Sequence, residues 1–174
     1  MKTFNKTILV LLAVVAISFT SCKKDDDGGD GGGGQAGSGT IAAKVNGSSF
    51  TSMEVASRAT QSTGGGSTTI ILQGSDASGK GIFITMNNFD GVGTYEFSDS
   101  NVFLVATYVE TNISNPQNSQ TWTAPYNGSG VIGQVKISEK TDTSIKGTFN
   151  FTGKNVNGDN SLKNITDGSF NLNF

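Results

Sequence analysis

Apolar and polar residues alternate along most of the chain after residue 40, the signature of strands with one face buried. Ile41, Ala43 and Val45 fall on one face, with Ala42 and Lys44 on the other. Ile82, Ile84 and Met86 alternate with Phe83, Thr85 and Asn87. Val131, Gly133, Val135 and Ile137 alternate with Ile132, Gln134, Lys136 and Ser138. The same period places Ile145, Gly147, Phe149 and Phe151 on one face, and Phe170, Leu172 and Phe174 on another. Around residue 105 both faces are apolar: Phe103, Val105 and Val109 oppose Leu104, Ala106 and Tyr108. That strand is expected to be covered on both sides.

Between these runs lie clusters of Gly, Asn, Asp, Ser and Thr at residues 63–67, 74–81, 126–130 and 154–160. Such residues tolerate positive φ and bond to their own backbone, so they mark turns. Asn46-Gly47 is a strong hairpin signal. No segment after Cys22 shows helical periodicity. Many short strands at regular spacing predict an all-β domain, an antiparallel β-sandwich or, alternatively, an up-and-down, lipocalin-like β-barrel. The long polar connection at residues 112–120 leaves room for a crossover and favours the sandwich. Gly147-Thr148-Phe149-Asn150-Phe151 and Gly168-Ser169-Phe170-Asn171-Leu172 resemble each other, as two neighbouring antiparallel strands of similar burial would.

The N-terminus follows a different rule. Lys2 and Lys6 precede an apolar run from Ile8 to Phe19 that is too short to span a bilayer as a helix. Phe19-Thr20-Ser21-Cys22 follows, and then Lys23-Lys24-Asp25-Asp26-Asp27. Basic flank, short apolar core and small residues before a cysteine resemble a bacterial lipoprotein signal. Cys22 is the only cysteine, so no intramolecular disulfide can form. The resemblance implies removal of residues 1–21 and a triacylated Cys22, palmitate included, as the mature N-terminus. Two or three acyl chains give stable anchoring where one is marginal. Lys23 directly after the cysteine implies sorting to the outer membrane. The run Lys23, Lys24, Asp25, Asp26, Asp27 is similar to the export signal of Bacteroidota lipoproteins that reach the cell surface. Residues 22–39 then form an anchor and a Gly/Asp-rich tether, with a reach of roughly 20–25 Å as a random coil. Residues 40–174 form a single domain.

Several motifs span that domain: Ile41-Ala42-Ala43-Lys44-Val45-Asn46-Gly47-Ser48-Ser49-Phe50, Asn88-Phe89-Asp90-Gly91-Val92-Gly93-Thr94-Tyr95, Gly147-Thr148-Phe149-Asn150-Phe151 and Thr166-Asp167-Gly168-Ser169-Phe170. With the Cys22 start, their order resembles small Bacteroidota surface lipoproteins built on a domain of unknown function. The resemblance implies an envelope location and an all-β fold, and it supplies no catalytic residues.

Charge narrows the partners. Twelve basic and 14 acidic side chains give a formal net charge of −2. Lys2 and Lys6 leave with the signal, so the mature chain is more acidic still. A nucleic-acid partner is disfavoured, since no basic patch stands out beyond the tether. There is no histidine, which removes histidine-activated nucleophiles and histidine metal sites. Gly74-Ser75-Asp76-Ala77-Ser78-Gly79-Lys80-Gly81 nearly spells a phosphate-binding loop, but Gly81 replaces the Ser/Thr and a strand follows where a helix is needed. Gly91-Val92-Gly93 lacks the third glycine of a dinucleotide site. Asn155-Val156-Asn157-Gly158-Asp159-Asn160 offers one carboxylate, poor for calcium. The expectation is a non-enzyme with no cofactor and no metal: a monomeric binding or accessory module on the outer membrane, its glycan or protein partner unspecified. The alternatives are a structural envelope component or a carboxylate-dependent enzyme. Trp122, the only tryptophan, and Tyr126 are the candidate ligand contacts. Either they are exposed stacking surfaces, or they are aromatics closing one end of the core.

Overall fold

The structure, a computed structural model, describes residues 35–174. Eleven strands follow in order. They are β1 (Thr40–Val45), β2 (Ser48–Thr51), β3 (Ser57–Gly64), β4 (Ser67–Ser75), β5 (Lys80–Met86) and β6 (Gly93–Ser98). Then come β7 (Leu104–Glu110), β8 (Gln120–Ala124), β9 (Val131–Lys140), β10 (Ser144–Lys154) and β11 (Leu162–Asn173). The fold is all-β and every strand pairing among the described residues is antiparallel, as the alternation predicts. The strands form one curled, half-barrel sheet in the order β2-β1-β11-β10-β8-β7-β5-β4-β3.

The sheet forks at β10. Residues Ile145 to Phe151 pair with β9, which pairs in turn with β6, while Lys154 meets β8 at Thr123. Curling brings the alternate faces together around one core that includes Ile41, Ile70, Leu72, Ile82, Ile84, Phe97, Tyr108, Ile137, Phe151 and Leu172. Phe97 on β6 meets Phe151 on β10 with ring centroids 5.7 Å apart. Burial of these faces is the main driving force for the fold, at about 25 cal/mol per Å² of apolar surface.

The hairpin turns lie where polar clusters predict them. Asn46 and Gly47 take φ of 47° and 84°, the left-handed pair that a two-residue hairpin needs, and β1 and β2 pair across them.

Four expectations change. Residues 112–120 carry no crossover: β7 and β8 flank that loop and pair directly, with Tyr108 opposite Trp122. The crossover is at β6, which leaves to pair with β9 while β5 and β7 remain neighbours. β7 is buried on one face only, through Leu104, Ala106 and Tyr108; Phe103 is 50% exposed. Val131 is 61% exposed and leaves the core face, because β10 pairs with β9 only from Gly133 onward. Packing also begins ahead of Thr40. Ala36 is buried and its N–H donates to Ser169 Oγ at 2.8 Å, while the Gly39 N–H donates to the Asn171 carbonyl at 2.7 Å.

Candidate binding recess at one end of the sheet

Alternation dictates what lies at the ends of the core-facing rows. On β5, Ile82 is buried and Lys80 lies two residues before it, at the rim. On β7 the row runs from Tyr108 to Glu110, on β8 from Trp122 to Gln120, and on β11 from Ile165 to Lys163. Strand register then aligns these rows. Lys80, Glu110 and Gln120 are successive cross-strand partners, with Ile82, Tyr108 and Trp122 aligned one step below. The polar ends of apolar rows therefore gather in one place.

Their contacts form a connected network. Lys163 Nζ donates to Glu110 Oε1 at 2.9 Å, and the Tyr108 hydroxyl donates to the same oxygen at 2.9 Å. The Lys163 ammonium lies 4.6 Å from the Trp122 ring centroid and 5.9 Å from that of Tyr108. The two rings pack at 5.8 Å. Trp122 Nε1 donates to Ser161 Oγ at 2.9 Å, and Asn155 Nδ2 donates to Gln120 Oε1 at 2.6 Å. A cation held by two aromatic faces and a carboxylate is fixed in position more firmly than a surface lysine. Beside it is a recess of about 210 Å³, lined in part by Asn46, Ser48, Lys80, Tyr108, Glu110 and Lys163.

The ionisable groups respond to this setting. Burial raises the Glu110 pKa, but hydrogen bonds from Lys163 and Tyr108 outweigh it, and the net shift is downward. Burial pushes the Tyr108 hydroxyl well up, and donation to the Glu110 carboxylate adds to the rise. Glu110 is thus held ionised and Tyr108 neutral. This pairing suits fixing a polar ligand, and it leaves the Glu110 carboxylate weakly basic.

Of the expected ligand contacts, Trp122 is 4% exposed and forms the wall behind Lys163, the core-closing alternative rather than an open stacking surface. Tyr126 is half-buried in the turn beyond β8, with Lys154 Nζ 5.5 Å from its ring. The two aromatics therefore serve different lysines. Cys22, Lys23, Lys24, Asp25, Asp26 and Asp27 lie outside the described residues. Tyr108, Glu110 and Lys163 were not singled out by sequence. The usable signal was the polar residue two places beyond the last buried one, repeated on four strands.

The loops weighed as ligand sites have internal uses for their oxygens. Asp76 Oδ1 accepts from the N–H groups of Ser78 and Lys80 and from Ser78 Oγ, at 2.8–2.9 Å, closing the β4–β5 hairpin. Asp159 Oδ1 accepts from the Ser161 N–H at 2.9 Å. Tyr95 donates its hydroxyl to the Gly91 carbonyl at 2.8 Å, bracing the turn before β6. Among the described residues no cluster of three or more His, Cys, Asp or Glu could hold a metal ion.

Comparison with curated proteins and with solved structures finds no match to the chain. A family model described as a domain of unknown function, DUF6252, matches residues 37–172, which covers all eleven strands except the final residue of β11, and the chain belongs to that family.

Proposed function

We propose that this protein is an outer-membrane, surface-facing Bacteroidota lipoprotein whose β domain is a non-catalytic binding or accessory module. The lipid on Cys22 holds it to the membrane, and the tether carries the domain outward. The observation that supports binding most directly is the fixed Lys163 ammonium beside a small polar recess. Positioned polar groups around a concavity are what a ligand site requires. The strong mutual pairing of Tyr108, Glu110 and Lys163 favours holding a ligand over proton transfer.

A pull-down from intact cells combined with a glycan array tests this reading, using wild type and Lys163→Met. A partner retained by wild type and lost at least tenfold by Lys163→Met supports it. Equal retention by both, or retention of nothing, overturns it.

A second reading, a structural envelope component, draws on the same network. Lys163 ties β11 to β7 and β8 where the sheet between β10 and β8 is held by a single bridge. On that reading Lys163→Met lowers the melting temperature and changes no binding.

A further inference from the structure

Two charged groups that line the recess are left unbonded. Lys80 and Glu110 are direct cross-strand partners on β5 and β7, which sets their Cβ atoms about 5 Å apart. They do not bond to each other. Glu110 accepts from both Lys163 and Tyr108 on Oε1. Its Oε2 has no partner among the described residues, and the side chain is 34% exposed. The Lys80 backbone N–H donates to Asp76 Oδ1, but its ammonium forms no hydrogen bond or ion pair among the described residues. Lys163 is thus neutralised by Glu110, and Lys80 is not.

The β1–β2 turn closes the recess with Asn46, Ser48 and Ser49. Asn46 Oδ1 accepts from the Asn164 N–H at 2.8 Å, so Nδ2 is the end left free. The chemistry of a ligand follows from these groups. A carboxylate suits the Lys80 ammonium. A second anionic group beside it would face Glu110, and an ammonium group would face Lys80 and Lys163. The neighbour of the ligand carboxylate is therefore a neutral donor, a hydroxyl, for Glu110 Oε2. At about 210 Å³ the recess is smaller than the roughly 300–1,000 Å³ of pockets for drug-sized molecules, and suits one ring. Asp76 and Asp159 stand in adjoining turns outside the lining and use Oδ1 within those turns. Selectivity rests on bonded contacts and not on a positive field.

We infer that the recess takes the end unit of an acidic glycan, a sugar acid whose carboxylate bonds to Lys80 and whose neighbouring hydroxyl donates to Glu110 Oε2. Asn46 Nδ2 and Ser48 supply donors for its remaining oxygens. This inference rests on the proposed reading of the domain as a binding module and adds the class of ligand.

The test uses the full chain purified in detergent, with Trp122 emission and amide shifts at Lys80 and Glu110 as readouts. The probes are the methyl glycosides of glucuronate and galacturonate, each against its neutral parent, which has a hydroxymethyl group in place of the carboxylate. At least one acid is expected to bind tenfold or more tightly than its parent. Lys80→Met should erase that preference with an unchanged melting temperature, since the ammonium holds nothing else in place. Lys80→Arg should keep it. Equal binding of acids and parents, no binding of either acid at tens of millimolar, or a preference that survives in Lys80→Met overturns the inference. Those results leave the binding reading standing as long as the pull-down retains a partner that Lys163→Met loses.

Discussion

Phe149 on β10 lies directly opposite Gly168 on β11, and two residues along the ladder Phe170 lies opposite Gly147. Each phenylalanine covers the bare backbone of the other strand's glycine, with the two rings 6.3 Å apart. A methyl group on Gly168 would come within 2.5 Å of the Phe149 carbonyl oxygen and 2.6 Å of its ring. Gly168→Ala is therefore expected to cost about 1–3 kcal/mol by overpacking, and Phe149→Ala about 3–5 kcal/mol by cavity formation. Denaturant unfolding of single and double variants checks this. The two changes should be non-additive, since the groups touch.

The Lys163 network has a built-in reporter, because Trp122 is the only tryptophan. Lys163→Met removes the ammonium 4.6 Å from its ring. It is expected to alter the emission intensity and to lower stability by roughly 1–3 kcal/mol, since Glu110 loses its charged donor. Unchanged fluorescence would show that the cation does not sit over the ring in solution.

Stability should fall at both pH extremes for identifiable reasons. Glu110 has a folded pKa below the ordinary glutamate value of 4.5, so its contribution is present above 4.5 and is lost as pH falls through the lowered folded value. Tyr108 is raised above 10.0, so its contribution is present below 10.0 and is lost as pH climbs toward the raised value. Glu110→Gln should flatten the acid limb of a melting-temperature profile, and Tyr108→Phe the alkaline limb. A wild-type acid slope surviving in Glu110→Gln would assign it to another carboxylate.

The strands were legible because their inner faces are apolar at strict two-residue spacing, as in Ile82, Ile84 and Met86. The pairing of Gly147-Thr148-Phe149 with Gly168-Ser169-Phe170 was visible as similarity, but its basis, glycine facing phenylalanine, required the register. β6 was the least legible strand: Tyr95 and Phe97 are apolar at the right spacing, yet nothing local says that the strand pairs with β9, whose partner residues lie 33 to 44 positions on. The recess was hidden for the same reason. Lys80, Glu110, Gln120 and Lys163 are distant in sequence and meet only when β5, β7, β8 and β11 curl together. Trp122 pointed to the right end of the sheet, although its own ring is wall rather than platform.

The chain ends Phe170-Asn171-Leu172-Asn173-Phe174, a pattern shared with the last strand of outer-membrane barrels. Here Phe170 and Leu172 point into the common core. Residues 35–174, expressed without signal or tether, are therefore expected to fold as a monomer in detergent-free buffer. Light scattering and circular dichroism check this; a requirement for detergent would place the apolar faces in lipid.

Protease treatment of intact cells, comparing the full chain with Cys22→Ala, tests most directly the proposed display of a lipid-held domain on the outside of the cell. The wild type should fractionate with the outer membrane and release an intact domain cut within the tether before lysis, while Cys22→Ala should leave the membrane fraction. A wild-type domain cut only after lysis, or found in the soluble fraction, would contradict the account.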